Sequence, residues 1–263
     1  MIPRLQVLVC TVASRYGSID FSAWPAVEGV EYLVACQNTK GASIHRPQRE
    51  DVDVLEFDNI GLSVNRNQAL EYAVAPYVLI ADDDTSFIAD GLRKIIEVYD
   101  ADPTLDYATF HALTPQERIY PPDGYDLRKE YHNYFPISFE ISFRRTSLLD
   151  NGLRFSELAG IGAPYLCAGE EDLLLYHCRQ AGLKGRYFNT DIVEHPSDTT
   201  SVKMKSSPAF LRTKGAVMRV KRGFFGALIR IPIESHRANI PFVKAFRYLM
   251  EGYIYSIRNN RLL

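Results

Sequence analysis

Residues 77–84 are Tyr77-Val78-Leu79-Ile80-Ala81-Asp82-Asp83-Asp84, an apolar and β-prone run that ends in three consecutive carboxylates. The run predicts a buried strand. The carboxylates at its end repel one another unless a raised pKa, a basic partner or a divalent cation relieves the charge. Because side chains alternate along a strand, Asp82 and Asp84 are expected to converge while Asp83 turns away. Ligands of open α/β sheets bind beyond such strand ends, so a cation site is favoured over a solvated Asp-rich turn.

Strand-like and helix-like segments alternate around this run. The strand-like segments are short, rich in Val, Leu or Tyr, and predicted at 5–12, 30–35, 52–57, 77–81 and 105–110. Apolar residues recur with helical spacing at 63–73 and 90–100. Later segments are predicted as a loop at 113–135, a strand or strand pair at 136–143, a helix at 171–182 and a last strand at 187–194. This alternation predicts an α/β fold with a mostly parallel central sheet flanked by helices.

The composition is that of a folded domain. The chain has 263 residues, of which 46% are hydrophobic and 24% charged, so it can bury a core and is not expected to be disordered. We find no apolar run long enough to span a membrane and no signal-peptide core, which predicts a cytoplasmic protein. Its four cysteines form no CxxC pair, so free thiols are favoured over disulfides or a zinc site.

Charge is distributed unevenly along the chain. Residues 203–263 contain 13 Lys and Arg against two acidic residues, whereas residues 1–202 contain 17 basic and 30 acidic residues. We therefore predict a catalytic domain at 1–202 and a basic, amphipathic helical extension at 203–263. A polyanionic partner is expected, but nucleic acid is disfavoured because the extension has no recognisable binding motif.

An apolar stripe runs through the extension at helical spacing and consists of Phe246, Leu249, Met250, Tyr253 and Ile257. One interpretation is that the stripe packs on the catalytic domain or on a second subunit of a homo-oligomer. The other is peripheral contact with the inner face of a membrane, where lipid-linked acceptors are found. Both interpretations are open from the sequence.

A second acidic cluster, Glu170-Glu171-Asp172, lies where the helix at 171–182 begins. Acidic residues in a first helical turn also complement the helix dipole, which accounts for one or two of the three. A run of three leaves one carboxylate to act as a general base toward a hydroxyl. His195 follows the last predicted strand, and an imidazole beside carboxylates suits Mn²⁺ or a similar ion.

These motifs, taken in order, resemble those of family 2 glycosyltransferases with the GT-A fold. The resemblance covers residues 5 to 200 and rests on the helix-opening segment 61–70, the triplet 82–84, the acidic run 169–172 and His195. It implies that Arg66 helps to bind the nucleotide, that Asp82 and Asp84 hold Mn²⁺ or Mg²⁺ on the diphosphate with His195, and that the run 170–172 supplies the base. In the family, a Glu-Asp pair lies at a usual distance before the end of this helix. Counted back from Gly182, the pair falls on Glu170 and Glu171, so a glutamate stands where the aspartate is expected. The base is therefore Glu171 or Asp172.

The resemblance also implies a donor site and a reaction. A nucleotide-diphosphate sugar, with UDP favoured, would be bound by Thr11, Gln37, Asn38, Arg66, Asp82 and Asp83. The sugar would be transferred with inversion to a hydroxyl of a glycan or lipid-linked acceptor. The basic segment 197–214 is either a lid over the donor or a solvated loop. Near the N-terminus, Thr11-Val12-Ala13-Ser14 and Cys36-Gln37-Asn38 depart from the usual family pattern.

Two alternatives remain. A nucleotidyltransferase shares such a sheet with metal-binding aspartates, but it usually carries a Gly-rich basic loop after the first strand, where residues 11–17 supply one Gly and one Arg. A catalytically silent nucleotide-sugar or carbohydrate-binding protein is conceivable because the acidic pair is altered. Turnover would separate this second alternative from a transferase.

Overall fold

The computed structural model describes residues 2–195, 207–259 and 262 of the chain. Its eight strands form one sheet in the order β3-β2-β1-β4-β7-β6-β8-β5. The strands are β1 (Leu5–Val12), β2 (Val30–Gln37), β3 (Val52–Phe57), β4 (Tyr77–Asp82), β5 (Ser86–Phe87), β6 (Tyr107–Leu113), β7 (Ile141–Arg144) and β8 (Gly185–Glu194). The helices are α1 (Ala13–Tyr16), α2 (Leu62–Tyr72), α3 (Ala89–Ala101), α4 (Arg145–Asp150), α5 (Glu170–Gln180), α6 (Pro208–Arg237) and α7 (Phe242–Arg258).

Parallel pairing among the first four strands brings their carboxyl ends to one edge. β1 lies between β2 and β4 and is parallel to both, with Val12 opposite Gln37 and Cys10 opposite Asp82. β7 is antiparallel to β4 and β6, while β6 and β8 are parallel. The predicted α/β class with a mostly parallel sheet is confirmed. The register places Thr11, Gln37 and Asp82 at the same edge of the sheet, which is the edge where ligands bind in such folds.

The chain divides into two compact units. The first contains residues 1–60, 64–154 and 178–197 and includes the whole sheet; the second contains 61–63, 155–177 and 198–263. The core of the first unit is formed by apolar strand residues and by one face of α3, which buries Leu92, Ile95 and Tyr99. Residues 155–177 thus group with the C-terminal helices, whereas the sequence division at residue 202 assigned them to the catalytic part.

The second unit is built around the helical pair α6 and α7. α6 has a non-helical backbone at Gly223, where it kinks. The predicted stripe on α7 divides between two environments: Leu249 and Tyr253 are buried with Ala227 and Ile231 of α6, whereas Phe246 and Ile257 are exposed. The buried part of the stripe therefore packs on α6 of the extension itself, a partner that neither interpretation named.

Glycine makes the close approach of α6 and α7 possible. A Cβ at Gly252 would overlap the backbone carbonyl of Arg212, and a Cβ at Gly215 would overlap that of Leu249. Backbone atoms cannot move aside as a flexible side chain can. Replacing either glycine must therefore separate the two helices locally.

We expect Gly252→Ala to destabilise the protein by about 1 to 3 kcal/mol, the usual cost of overpacking. Chemical unfolding followed by circular dichroism would measure this change. Gly226→Ala is the matched helical control, because its added Cβ meets only the Cβ of Arg222 at 3.1 Å. Equal stability of both variants and the wild type would contradict the close helix contact.

Candidate functional site

The acidic triplet lies where β4 ends. Asp82 is the last residue of the strand, and Asp83 and Asp84 belong to the turn that follows. The alternation of side chains along a strand therefore does not extend to Asp84. Each of the three carboxylates has its own set of partners, although Asp83 and Asp84 share Arg15.

Asp82 is held from two sides. Arg66 Nη2 donates to Asp82 Oδ1 at 3.1 Å, and Ser138 Oγ lies 3.2 Å from Asp82 Oδ2. Arg66 belongs to α2 and is almost completely buried. The neighbouring Asn65 donates to the carbonyl of Ala35 in β2 at 2.8 Å, which fixes this turn of α2 against the sheet edge.

Asp83 is the most buried member of the triplet. Thr11 Oγ1 donates to Asp83 Oδ2 at 2.6 Å, and Arg15 Nη2 lies 2.6 Å from Asp83 Oδ1. Burial raises the pKa of the Asp83 carboxyl, while Thr11 and Arg15 act in the opposite direction. Asp83 therefore faces the protein and connects the end of β4 to the end of β1.

Asp84 and His195 form a carboxylate–imidazole pair. His195 Nε2 lies 3.1 Å from Asp84 Oδ1, and Arg15 Nη2 donates to Asp84 Oδ2 at 3.2 Å. The hydrogen bond to His195 lowers the pKa of Asp84 to about 2. The His195 ring stacks on Phe139 with 4.8 Å between centroids and 14° between planes. This stacking fixes the imidazole orientation.

A short 3₁₀ turn, Ser138–Glu140, supports both aspartates and was not identified from the sequence. Ser138 contacts Asp82, Phe139 packs on His195, and Glu140 is completely buried. Burial raises the pKa of Glu140, whose carboxylate accepts hydrogen bonds from Tyr120 at 2.6 Å, from the Ile137 N–H at 2.9 Å and from Arg118. The available signal was a glutamate in the run 137–143, whose other residues are apolar or serine.

Gln37 is the last residue of β2 and Asn38 follows it, and both bond to nearby loops. The Gln37 amide donates to the carbonyl of Asn59 at 3.2 Å. The Asn38 amide donates to Glu56 at 2.6 Å and to the carbonyl of Ala42 at 2.8 Å. Both residues thus lie at the strand-end edge where Thr11 and the triplet lie, and their side chains shape the loops there.

The run Glu170–Asp172 begins α5 in the second unit. Glu170 is buried, and its carboxylate lies close to Gly160. A Cβ added at Gly160 would lie 3.0 Å from Glu170 Cδ. Asp172 Oδ1 accepts from Lys221 Nζ at 2.8 Å. Glu171 is half-exposed. The three carboxylates therefore differ sharply in environment, which the sequence alone did not reveal.

The family model for Glycosyl transferase family 2 matches residues 40–151, a segment that contains Arg66, the acidic triplet and the turn Ser138–Glu140. The chain is a glycosyltransferase, and the matched segment resembles a family 2 domain. The acidic run 170–172 and His195 lie outside the matched segment of this glycosyltransferase. A search of curated proteins finds no significant match.

Solved structures similar to this glycosyltransferase include those of S. aureus TarS. A crystal structure of TarS residues 1–349 with UDP has a TM-score of 0.58 and 14% identity, with 98% of this chain and 73% of that chain covered. The complex of the same segment with UDP-GlcNAc has a TM-score of 0.58 and 16% identity, with 98% and 74% covered. A longer TarS structure has a TM-score of 0.58 and 16% identity, with 97% of this chain and 44% of that chain covered. At these identities the similarity shows the shared GT-A fold.

The donor atoms at the triplet suit a divalent ion of the kind predicted. Among the described residues no three His, Cys, Asp or Glu side chains are arranged to hold a metal ion. The structure brings two of the three predicted ligands of the glycosyltransferase together, Asp84 and His195, while Asp82 bonds to Arg66 and Ser138. Ions such as Mg²⁺ usually take one or two protein ligands and complete their shell with substrate phosphates and water. Asp84 supplies one such carboxylate, and the imidazole of His195 beside it suits Mn²⁺ or a similar ion.

The predicted lid of the glycosyltransferase falls partly on residues 196–206, which lie outside the described residues. Its remaining basic residues belong to α6. Arg212 Nε donates to Glu251 at 2.9 Å, and Lys214 pairs with Glu234 at 2.5 Å. These two cations stabilise the second unit.

Proposed function

We propose that the protein is a metal-dependent, inverting glycosyltransferase that moves a sugar from a UDP-sugar to a hydroxyl of a glycan or lipid-linked acceptor. One observation carries the proposal: the carboxylates of the triplet are held in distinct positions at the strand-end edge of a GT-A sheet, with Asp84 beside His195. The TarS structures of the same fold contain UDP and UDP-GlcNAc, which supports a uridine nucleotide as the carrier.

The donor would be bound by groups from three strand ends and α2. Thr11 at the end of β1 and Gln37 and Asn38 at and after the end of β2 provide hydroxyl and amide groups for a nucleobase or ribose. Arg66, buried and bonded to Asp82, supplies positive charge toward the nucleotide. Asp83, bonded to Thr11, completes this set.

Asp84 and His195 would hold Mn²⁺ or Mg²⁺. When bound, the ion offsets the negative charge of the diphosphate and stabilises it as the leaving group. The protein side chains contribute by orientation: Phe139 fixes the imidazole plane, and Arg15 and His195 position the Asp84 carboxylate.

Glu171 or Asp172 would accept the proton of the acceptor hydroxyl, giving direct displacement and inversion at the anomeric carbon. Asp172 is held by Lys221, whereas Glu171 is half-exposed. Glu170 is buried against Gly160 and is assigned a supporting role. The acceptor would be a glycan or a lipid-linked sugar, and peripheral membrane contact would bring the enzyme to the latter.

The direct test compares UDP-, GDP- and dTDP-sugars with and without Mn²⁺. We expect a UDP-sugar to raise the melting temperature in the presence of Mn²⁺, since a ligand at 100 times its Kd stabilises the native state by about 2.7 kcal/mol. The same sugar should be slowly hydrolysed or transferred, and chelation should abolish turnover. Protection by every nucleotide sugar regardless of Mn²⁺, without turnover, would contradict the proposal.

A further inference from the structure

The second unit exposes apolar side chains on the outer side of its helical pair. Phe225 is 77% exposed, Ile229 73% and Val243 77%, and Ile233 and Phe246 are also exposed. Phe225, Ile229 and Ile233 are spaced i, i+4, i+8 and therefore share one side of α6. Large apolar residues scattered singly on a surface need no explanation, but a stripe along a helix does.

The exposed residues form a surface that crosses from one helix to the other. The ring of His236, one residue from the end of α6, lies 4.5 Å from the ring of Phe242 in α7. Phe242 in turn stacks on Phe246 at 5.9 Å. We use the name outer face for the exposed residues of this surface. Its apolar members are Phe225, Ile229, Ile233, Phe242, Val243 and Phe246, and its cations are Arg222, Arg237, Lys244 and Arg247.

The outer face is not needed to join the two helices. Their mutual contact uses a different set of apolar residues, which are buried: Leu211, Met218, Ala227, Ile231, Ala245, Leu249 and Tyr253. Each helix thus has one apolar side that packs within the unit and a second that remains exposed. A second apolar side on an already packed helix indicates a further binding partner.

Charge on the outer face is positive. Arg222, Arg237, Lys244 and Arg247 are exposed. The described part of the extension has two acidic residues, and both are paired with cations. Glu234 is buried and pairs with Lys214, Arg230 and Arg237. Glu251 pairs with Arg212 and Arg247. Exposed cations and exposed apolar residues therefore alternate along α6 and α7, while the carboxylates are covered or neutralised.

Exposed apolar residues together with exposed cations favour one class of partner. We propose that the outer face docks on an anionic lipid surface, with its apolar side chains in the acyl boundary and its cations at the headgroups. A second copy using the same face would bring like charges together, since a two-fold interface places a patch against itself. Among the described residues no helix is long and apolar enough to cross a bilayer, so docking would be peripheral.

Vesicle flotation of the full chain tests the proposal. We expect binding to mixed phosphatidylglycerol and phosphatidylcholine vesicles to exceed binding to phosphatidylcholine alone by at least about tenfold, because each basic residue near the surface adds about 1 kcal/mol. Arg222→Gln with Lys244→Gln should remove most of that preference. Equal binding to both kinds of vesicle would overturn the proposal.

Matched double variants test the apolar contribution. Ile229→Ser with Val243→Ser should weaken binding by about tenfold or more. Ile60→Ser with Val74→Ser, which changes residues 74% and 61% exposed in the first unit, should leave binding unchanged. Circular dichroism must show both proteins folded. Equal loss in both pairs, or no loss in either, would overturn the proposal.

Sedimentation velocity without lipid tests the competing partner. A dimer that dissociates in the Ile229→Ser, Val243→Ser protein would assign the outer face to a second copy and overturn lipid docking. If the wild type and the variant sediment as species of the same size, the result supports lipid docking. The Asp84→Asn protein should bind vesicles as the wild type does, because Asp84 belongs to the first unit. Loss of turnover and loss of docking are therefore separable.

Discussion

Replacement of Asp84 by Asn should lower kcat for sugar transfer by about 10²- to 10³-fold, the usual effect of removing one preorganised electrostatic group from an active site. Asn keeps the shape of the side chain but removes the negative charge that would attract the ion. Asp84 is 39% exposed in its side chain, so the fold should survive the change. Initial rates at saturating donor, measured over a range of Mn²⁺ concentrations, would test the prediction.

The matched control is Asp90→Asn. Asp90 is a highly exposed aspartate in the first turn of α3, and it pairs there with Arg93. Its replacement removes the same charge from the same unit without touching the triplet. We expect transfer by this variant to stay within about twofold of the wild type, because surface pairs of this kind contribute little. An Asp84→Asn enzyme as active as Asp90→Asn would remove Asp84 from the mechanism.

The base should be identified by comparing Glu171→Gln with Asp172→Asn. One of the two should lower kcat by about 10²- to 10⁴-fold, the typical contribution of general acid–base catalysis. Donor affinity should change little, because a base acts on the acceptor hydroxyl. Single-turnover transfer together with donor binding by calorimetry would separate the two effects.

Lys221→Met controls for the ion pair. Asp172→Asn also breaks the contact with Lys221, and loss of that contact could lower activity through structure alone. If Lys221→Met reproduces the loss seen in Asp172→Asn, the carboxylate acts by positioning and Glu171 becomes the base. If only Asp172→Asn is inactive, Asp172 is the base. Full activity in Glu171→Gln and Asp172→Asn would contradict a base in this run.

The sequence predicted the first unit well because local patterns determine its elements. β1 and β3 were predicted with the bounds observed, 5–12 and 52–57. Predicted helices at 63–73 and 90–100 differ from α2 and α3 by one residue at each end. A buried strand such as β1 is a nearly continuous apolar run, and an amphipathic helix such as α3 has a fixed period, so both are visible without knowledge of their partners.

Long-range partners could not be predicted in the same way. Arg15, Ser138 and Phe139 contact the triplet or His195 from segments far away in the sequence. Nothing in the local pattern around Ser138 indicates that its hydroxyl reaches Asp82, because that contact depends on β7 lying beside β4. The grouping of 155–177 with the C-terminal helices likewise depends on tertiary packing, through buried residues such as Leu166 and Leu173.

Arg15 has a consequence for how the donor and its ion are taken up. The guanidinium is shared between Asp83 and Asp84, so it already neutralises part of the charge that a divalent ion would meet. If Mn²⁺ or Mg²⁺ binds at Asp84 as proposed, ion uptake would be an exchange in which the arginine gives up that carboxylate. A diphosphate offers the released guanidinium a new anionic partner, which would make nucleotide and ion reciprocally enhance each other's affinity.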